Sequence, residues 1–599
     1  MDMPAAAGSG HSGTALALAP LVWLLYSQVM RHHPARPGWS QRDRLVLSNG
    51  HACVVLYAVL HLCGYDLSLD DLKQFRRPGS KTPGHPESWV TPGIDFSTGP
   101  LGLGLASAVG LALAERFRPG CNHFTYVLCS DGDLMEGVTA EASSLAGHQR
   151  LGKLIVFFDD NRVTIDGPAS LSQSEDILAR YRAYNWQVLE ADSGEDWAGL
   201  LQCLKAARTD QRPSLIRVPT VIGFPAPSLQ GRCEAHSPHF PADEIRATKV
   251  LLGLDPEQSF QIPEGVYRDP GPKPDEIDSP IADRLADWRP PSFEGALSTR
   301  QASGRVLQSL LPHLPELVGG SADLAVSTQS YLEGGGEMSP AQPQGRNLRY
   351  GVRELAMASI CNGLAQEGLV SYCATYFAFS DQMKPALRLA ALARIRSIFV
   401  WTHDSLALGE DGPTHQPVEQ LAGLRAMPNF LVIRPADARE TLQAWKVALA
   451  HQGGPVGLVL SRQSLPLLPV SPQLDQGGYV VKDGPPEALT LLATGSEVHL
   501  CLQAAQLLEA EAVSVRVVSL PCWELFEQQS AEVRASVLGR GPRLAVEAAS
   551  PLGWHRWAHG VMGLESFGAS GTGEELMRSF GFQAETIRDR ALQLLRPGA

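Results

Sequence analysis

Short apolar runs alternate along the chain with longer segments rich in alanine and leucine. The runs are rich in β-branched residues and apolar throughout, as strands are in parallel sheets that helices cover on both faces. They fall into three groups, and each group predicts a sheet with flanking helices. We therefore predict an α/β protein with three consecutive α/β domains and mostly parallel sheets. The runs are 124–129, 153–160 and 214–223, then 397–404, 430–437 and 456–463, then 489–497, 513–521 and 543–550.

The breaks between these groups predict the domain boundaries. With 599 residues, the chain is too long for a single hydrophobic core. A proline-rich, aperiodic stretch predicts a linker at 269–295, and a weaker break lies near 464–487. The first domain is then 1–268, the second 296–475 and the third 476–599.

Charge and cysteine content exclude several classes of partner. The net charge is −13 and no run of lysine or arginine is present, which argues against nucleic acid or a membrane as a partner. The ten cysteines form no Cys-x-x-Cys pair, which favours a reducing, intracellular compartment. The apolar segment 15–26 is too short to span a bilayer and is interrupted by Pro20, so we predict a buried helix there.

Polar residues directly follow several of the predicted strands. Asp131 follows the first strand, Gly132 allows a tight turn, and Asn161 follows the next strand. In open parallel sheets, ligands bind at the carboxyl ends of the strands. Aspartate and asparagine oxygens suit Mg²⁺ or Ca²⁺ bound together with phosphate. From the residues alone, two unrelated helix-capping turns explain the pattern equally well.

A glycine-rich turn at 98–115 opens a helix of small residues and offers backbone N–H groups to a phosphate. It lacks the dinucleotide-binding fingerprint, because Ser107 stands where a third glycine is needed. A dehydrogenase is therefore excluded. Close packing of the helix explains the turn equally well.

Six histidines lie in loops rich in glycine or proline. None has the spacing of a zinc site, and each alone is explained as a solvated surface residue. Together they indicate a cleft for a polyhydroxylated substrate and proton transfer near neutral pH. Two arginines and a serine offer a phosphate site, although each arginine alone also suits a surface ion pair. The histidines are His11, His51, His85, His236, His403 and His415, and the phosphate candidates are Arg300, Ser327 and Arg462.

Short motifs along the chain resemble those of the transketolase family in their order and spacing. The resemblance runs from residue 9 to about residue 582, and the stretch 402–420 is highly specific. It implies two thiamine diphosphate-binding folds followed by a C-terminal domain of the transketolase type. The motifs are SGHSG, RDRLVLSNGHA, SKTPGHPE, TGPLGLGLA, DGDLMEG, FDDNRVTIDG, GGSADLA, YGVRE, THDSLALGEDGPTHQPVEQ, LSRQ and LATGSEV.

The resemblance implies thiamine diphosphate as cofactor, with a divalent cation that is Mg²⁺ or else Ca²⁺ or Mn²⁺. Asp131, Asn161 and the backbone carbonyl of Val163 would hold the cation. Glu354 would hydrogen-bond the cofactor's pyrimidine ring, and Phe379 would stack on it. From the residues alone, Glu354 is explained as a charge at a helix N-terminus and Phe379 as a core residue. The implied cofactor-binding residues are His51, Gly99, Pro100, Leu101, Gly132, Asn161, His236, Glu354 and Phe379.

The resemblance also implies a transferase of aldehyde and ketone residues. It would move a two-carbon ketol (glycolaldehyde) unit from a ketose phosphate to an aldose phosphate, in the cytoplasm and in the pentose phosphate pathway. A homodimer is implied, in which the first domain of one subunit faces the second domain of its partner. The implied catalytic residues are Glu354, His415, His236 and His11, and the implied substrate-binding residues are His11, His85, His236, Arg300, Ser327, His403, Asp411, His415 and Arg462.

Four departures from the family pattern keep two alternatives open. Ser130 and Ala407 stand where glycine is usual, Ser12 stands where proline is expected, and few residues precede Ser9. One alternative is dihydroxyacetone synthase, a relative with formaldehyde as acceptor, which the absence of a peroxisomal tripeptide disfavours. The other is a catalytically weak, cofactor-binding regulatory paralogue, against which the retained histidines and arginines weigh.

Overall fold

The computed structural model describes residues 1–273 and 285–596, so the middle of the predicted linker lies outside the described residues. The chain forms two compact units. The first is Met1–Pro280 with two short segments, Ser339–Gln344 and Asn362–Glu367, and the second comprises the other residues. The predicted boundary at residue 476 thus falls inside the second unit.

The first unit is built on one sheet. Its strands are β1 Arg44–Leu47, β2 Thr125–Ser130, β3 Leu154–Asp160, β4 Val163–Thr164, β5 Gly167–Pro168, β6 Gln187–Glu190 and β7 Ser214–Pro219. The sheet has the order β1-β2-β3-β7-β6, with every neighbouring pair parallel, and β4 and β5 form a small antiparallel pair beside it. The helices are α1 Asp2–Ala7, α2 Ser12–Leu24, α3 Cys53–Leu62, α4 Leu69–Lys73, α5 Leu103–Phe117, α6 Asp131–Met135, α7 Gly137–His148, α8 Ile177–Ala183, α9 Trp197–Ala207 and α10 Ala242–Leu251.

The second unit contains two five-stranded sheets. Its strands are β8 Leu297–Ser298, β9 Leu317–Ser321, β10 Val370–Tyr376, β11 Ile398–Thr402, β12 Leu431–Ile433, β13 Val456–Leu460, β14 Ser464–Leu465, β15 Tyr479–Lys482, β16 Leu489–Ala493, β17 Val515–Ser519, β18 Arg543–Val546 and β19 Gly560–Met562. The middle sheet of the chain, β12-β13-β11-β10-β9, is wholly parallel. The C-terminal sheet, β15-β17-β16-β18-β19, is parallel except for its edge strand β15.

Helices follow most strands of the second unit. They are α11 Thr299–Leu310, α12 Ala325–Thr328, α13 Glu354–Gln366, α14 Ser380–Ala393, α15 Gln420–Arg425, α16 Ala438–Ala450, α17 Glu497–Ala510, α18 Trp523–Glu527, α19 Ala531–Leu538, α20 Gly573–Ser579 and α21 Ala584–Leu594. Three mostly parallel sheets with helices between their strands confirm the predicted α/β class.

The apolar segment near the N-terminus is a helix, as predicted, but it is longer than the sequence suggested. Within the described ranges, one helical segment, Ser12–Val29, is long and apolar enough to cross a membrane by length and composition. Its residues Leu18 and Leu24 are fully buried in the core of the first unit. Pro20 lies inside the helix without ending it, because packing offsets the hydrogen bond that proline cannot donate.

Candidate active site

The predicted cation ligands lie at the carboxyl edge of the first sheet. Ser130 pairs in register with Asp159, which brings the ends of β2 and β3 together. Asn161 Nδ2 donates to Asp159 Oδ2 at 2.9 Å, and Asn161 Oδ1 accepts from the Val163 N–H at 3.0 Å. These bonds turn the amide oxygen of Asn161 toward the backbone of Val163.

Asp131 carries the main electrostatic argument for a cation at this edge. Its side chain is buried, and Oδ2 has no hydrogen-bond partner among the described residues. Burial, together with the charge of Asp160, raises the pKa of Asp131 to about 6. A buried carboxylate oxygen without a partner is costly unless a cation compensates it, so the set of one carboxylate, one amide and one carbonyl fits a hard divalent ion. Among the residues that the structure describes, no three His, Cys, Asp or Glu side chains lie close enough together to hold a metal ion.

The second aspartate of the SDGD motif has a structural role that the sequence analysis did not assign. Asp133 Oδ2 accepts from both the N–H and the Oγ of Ser130 at 2.9 Å, which forms a capping box. Its Oδ1 accepts from Ser48 Oγ at 2.5 Å and from the Gly102 N–H at 2.9 Å. The Ser-x-x-Asp spacing was the available signal. Asp133 therefore fastens the glycine-rich turn to the end of β2.

Serine is compatible with the backbone at position 130. Its φ of −105° and ψ of 177° lie in the extended region that any residue adopts. The hydroxyl also adds a hydrogen bond to Asp133 that glycine lacks. The departure from the family pattern at this position is therefore tolerated by the fold.

The predicted diphosphate residues Gly99, Pro100 and Leu101 lie in the turn before α5. A Cβ atom on Gly132 would lie 2.9 Å from Leu101 Cδ1, so this turn and the cation edge are in contact. Gly102 has a φ of +77°, and a Cβ there would meet Thr139 Oγ1 at 2.8 Å. The turn thus needs glycine at position 102, whereas a side chain at position 132 would have to displace the end of Leu101.

Three of the predicted histidines meet in the first unit. Ring centroids are 5.3 Å apart for His11 and His51, 4.8 Å for His51 and His236, and 5.7 Å for His11 and His236. Within the part of the chain that the structure describes, His11 Nδ1, His51 Nε2 and His236 Nδ1 are buried without a hydrogen-bond partner. His85 lies beside Gly99, whose added Cβ would be 3.8 Å from the ring.

Close backbone packing brings two of these histidines together. A Cβ on Gly13 would lie 2.3 Å from the carbonyl oxygen of Ala235, so only glycine allows this contact. The Gly223 N–H donates to the Gly13 carbonyl at 3.0 Å. Gly13 is two residues from His11, and Ala235 is next to His236. This backbone contact therefore holds the two histidines close together.

The histidines of the first unit are held neutral. Burial, followed by repulsion from His236 and Arg76, lowers the pKa of His11 to about 4. Burial also lowers the pKa of His51, His85 and His236. Neutral imidazoles accept and donate hydrogen bonds at pH 7, so the cluster suits hydroxyl and carbonyl groups.

Arg76 was missed by the sequence analysis. Its charge helps to lower the pKa of His11 and of His85, and its Nη1 donates to Ser9 Oγ. Its Nε is buried with no hydrogen-bond partner in the described ranges. The surrounding sequence, RRPGS, is typical of a surface turn and gave no signal.

In the second unit, four of the predicted residues lie around Tyr376, which the sequence analysis also missed. The Tyr376 ring lies 4.4 Å from His403, 6.1 Å from His415 and 6.1 Å from Phe379 between centroids. Its hydroxyl lies 2.8 Å from Ser327 Oγ. Phe379 and His415 are themselves 5.1 Å apart. Tyr376 ends a buried strand, where an aromatic residue is usually part of the core.

Two arginine side chains bring positive charge close to His403. Arg300 Nη1 donates to the Ser327 carbonyl at 2.7 Å. Burial, with the charges of Arg300 and Arg462, lowers the pKa of His403 to about 3. Two guanidinium groups beside a serine and a neutral histidine suit a phosphate group.

Glu354 and Asp411 lie in different settings. Glu354 is the first residue of α13 and is buried. Asp411 is exposed, in the loop between His403 and His415. The structure thus places the predicted residues in two sets, one in each unit.

Comparisons with known proteins give the class first. The thiamine diphosphate binding domain of transketolase matches residues 1–288, the pyrimidine binding domain residues 295–467, and the transketolase-like C-terminal domain residues 477–583. Together with the cation edge and the histidine cluster, these matches define a thiamine diphosphate-dependent transferase of aldehyde and ketone groups. The chain belongs to the transketolase family.

The relatives cover nearly the whole chain. A transketolase of Geobacillus stearothermophilus is 45% identical, over 98% of this chain and 96% of its own length. Transketolase-1 of the Arabidopsis thaliana chloroplast is 42% identical, over 99% of this chain and 87% of its own length. A Pichia stipitis transketolase in complex with sedoheptulose 7-phosphate superposes with a TM-score of 0.95 at 39% identity. The match covers 99% of this chain and 95% of that structure's chain.

Proposed function

We propose that this protein is a transketolase, which transfers a two-carbon ketol (glycolaldehyde) unit from a ketose phosphate to an aldose phosphate. The observation that carries the proposal is the set of buried polar atoms without protein partners. Asp131 Oδ2, His11 Nδ1 and His51 Nε2 are such atoms in the described ranges. Folded proteins leave few buried polar atoms unpaired, so this concentration supports a polar ligand at the site.

The donor set supports thiamine diphosphate with a divalent cation, Mg²⁺ or else Ca²⁺ or Mn²⁺. Asp131, Asn161 and the Val163 carbonyl would hold the cation. When bound, thiamine diphosphate supplies a nucleophilic carbon and an electron sink for cleavage beside a carbonyl. The residues that would line it are His51, Gly99, Pro100, Leu101, Gly132, His236, Glu354 and Phe379.

The chain's own residues would then divide the remaining tasks. The Glu354 carboxyl would hydrogen-bond the cofactor's pyrimidine ring. His11, His236 and His415 exchange protons with the oxygens of the substrate, and for the first two a lowered pKa keeps the ring able to accept at pH 7.

Other residues would bind the sugar phosphate without taking part in proton transfer. Arg300, Ser327 and Arg462 would bind the phosphate together with His403, because the charges of both arginines act on His403. His85 and Asp411 bind hydroxyl groups of the sugar.

We also infer a homodimer with its active sites between subunits. The cofactor-binding residues fall into two sets in different units, and the partner would bring the second set to the first. A cytoplasmic location, as part of the pentose phosphate pathway, fits the ten cysteines, all of which are free.

Neither alternative has a specific observation in its favour. The relatives named above are transketolases, and the backbone at Ser130 accepts serine without strain. The retained Glu354, histidines and arginines weigh against a catalytically weak paralogue.

The test is a transfer assay with thiamine diphosphate and Mg²⁺. Xylulose 5-phosphate is the donor, with ribose 5-phosphate or formaldehyde as acceptor in parallel reactions. We expect sedoheptulose 7-phosphate as the main product. A strong preference for formaldehyde, giving dihydroxyacetone, would identify a dihydroxyacetone synthase instead. No transfer by folded, cofactor-loaded protein would contradict the proposal.

A further inference from the structure

A cluster of buried charges lies between the middle and C-terminal sheets of the second unit. Its centre is Arg434, which is fully buried. Arg434 contacts Asp404 Oδ2 through Nη2 at 2.8 Å and Nε at 3.0 Å. Its Nη1 donates to Glu497 Oε2 and to Thr494 Oγ1, the latter at 3.1 Å. Asp404 and Arg434 follow strands of the middle sheet, whereas Thr494 and Glu497 follow β16 of the C-terminal sheet.

A second arginine extends the cluster into the C-terminal sheet. Arg425 donates to both oxygens of Glu547, at 2.7 and 2.9 Å. Its guanidinium lies 4.0 Å from the ring centroid of Trp523. The Trp554 Nε1–H also donates to Glu547, at 2.8 Å. Buried ion pairs contribute little net stability, so a cluster of this size suits a requirement for defined geometry.

One member of the cluster is the chain neighbour of a predicted phosphate-binding residue. Asp404 directly follows His403, and both side chains are buried. His403 packs on Tyr376 with 4.4 Å between ring centroids, and its Nδ1 lies 3.0 Å from Thr402 Oγ1. Asp404 instead contacts Arg434. One peptide bond therefore joins a group in the substrate site to a group fixed by the cluster.

A loop next to the C-terminal sheet also supports the segment that follows Asp404. Gln416 Nε2 donates to the carbonyls of Gly409 and Ala569, both at 2.9 Å. A Cβ on Gly409 would meet the Gly573 nitrogen at 3.0 Å. The loop from His403 to His415 is thus held at its start by Asp404 and in its middle by Gly409 and Gln416.

We propose that Asp404 is a positioning residue: through Arg434, the C-terminal sheet fixes the orientation of His403 toward the substrate phosphate. The inference rests on the proposed function, because it assumes that His403 binds substrate. It gives the C-terminal sheet, which supplies none of the predicted catalytic residues, a part in substrate affinity.

The test is a double-mutant cycle on the holoenzyme with His403→Ala, Asp404→Asn and the double variant. We expect each single variant to raise the KM for the ketose phosphate about tenfold, the size of one lost hydrogen bond, with kcat nearly unchanged. If Asp404 acts through His403, the double variant has the same KM as His403→Ala alone. Multiplication of the two factors in the double variant would overturn the inference.

Glu440→Gln is the matched control, since it removes a buried carboxylate that accepts from Tyr479 and Ser519 of the C-terminal sheet but bonds neither Arg434 nor the substrate loop. We expect it to lower the melting temperature as Asp404→Asn does and to leave KM unchanged. Asp404→Glu, which keeps the charge, is the second variant if Asp404→Asn does not fold, and we expect a smaller rise in KM. A rise in KM with Glu440→Gln equal to that with Asp404→Asn would overturn the inference.

The failures of the two proposals have different signatures. No transfer by the wild-type chain would overturn the proposed function and this inference together. Normal wild-type transfer, with a raised KM in His403→Ala but not in Asp404→Asn, would overturn this inference alone.

Discussion

The histidine cluster of the first unit and the Arg434 cluster of the second unit both bury many polar groups, but they differ in how these groups are paired. In the described ranges, His11 and His51 each leave a buried ring nitrogen without a partner. In the Arg434 cluster, every carboxylate contacts an arginine, a hydroxyl or an indole N–H. Arg425 Nε and Trp523 Nε1 also lack a hydrogen-bond partner in the described ranges, so the difference lies in the compensation of charge. Buried carboxylates that are compensated within the protein mark a scaffold, whereas the unpaired ring nitrogens mark a ligand-binding site.

The two clusters also titrate in opposite ways. Burial and mutual repulsion lower the pKa of His11 to about 4, so the site is neutral. The guanidinium of Arg425, against the effect of burial, holds the pKa of Glu547 at about 2, so the scaffold is charged. Changes in the first cluster should therefore affect catalysis and ligand binding, and changes in the second should affect stability and geometry.

The largest expected effect is on catalysis, from Glu354→Gln. The amide cannot hold the proton that the cofactor's pyrimidine ring needs, so we expect turnover to fall about 10²–10⁴-fold. The melting temperature should change little. Glu440→Gln is the control, because Glu440 is also buried but lies outside the candidate site, where it accepts from Tyr479 and Ser519. It should lower stability and leave turnover within a few-fold. A near-normal rate in Glu354→Gln would remove Glu354 from the mechanism.

The second effect is on stability, from Arg434→Met. Loss of the arginine leaves Asp404 and Glu497 as buried, uncompensated carboxylates, so we expect the free energy of unfolding to fall by about 3–5 kcal/mol. Urea unfolding followed by circular dichroism measures this. Arg540→Met is the control, since its pair with Glu487 is largely exposed and should contribute at most about 1 kcal/mol. Equal losses in the two variants would contradict the assignment of the Arg434 cluster as scaffold.

The third prediction compares two aspartates of one motif. Asp131→Asn should weaken Mg²⁺ binding, measured by calorimetry, at least about tenfold, because a charged ligand is lost. It should not lower the stability of the cofactor-free protein, because Asp131 Oδ2 has no partner in the described ranges to lose.

Asp133→Asn should behave in the opposite way. It disturbs four hydrogen bonds, so it should cost about 1–3 kcal/mol of stability. If Asp131→Asn destabilises the cofactor-free protein as much as Asp133→Asn, the distinction between site and scaffold fails.

The smallest predicted effect is a pH dependence of stability. His11 titrates near pH 4 in the folded protein and near about 6.5 in an unfolded chain. The unfolded chain therefore binds more protons between these values, so the stability contributed above about pH 6.5 is lost progressively as the pH falls toward 4. His11→Gln removes this group, so unfolding should take up about one proton fewer between about pH 6.5 and pH 4, and the decline should be shallower. Urea midpoints from pH 7 to pH 4 measure it, and an unchanged slope would show that His11 is not held neutral.

The sequence predicted the class of fold better than the number of strands. The apolar runs ending near Ser130, Asp160 and Leu460 are central strands, buried on both faces, and the pattern of a parallel sheet identified them. The partly buried edge strands β6 and β19 were missed, but so were the largely buried strands β1, β9 and β10, so burial alone does not explain the misses. Strand β15, Tyr479–Lys482, alternates buried and half-buried residues and lies in a segment that looked like a break between domains.

The candidate site was predicted where polar residues stand in unusual positions, such as histidines in glycine-rich loops. It was missed where a residue has an ordinary local explanation. Tyr376 looks like a core aromatic, Arg76 like a residue of a surface turn, and Asp133 like a further acid of the cation site. Their roles depend on neighbours that are distant in sequence, and a single sequence contains no information on those contacts.

The most direct test of the account is to separate the two sets of site residues onto two subunits. Asp131→Asn and Glu354→Gln chains are co-expressed with different tags, and the mixed dimers are isolated through both tags. If each site combines the first unit of one subunit with the second unit of its partner, one of the two sites in a mixed dimer is intact. We then expect about half of the wild-type transfer rate, although each parent variant is nearly inactive. Mixed dimers as inactive as both parents would contradict the account.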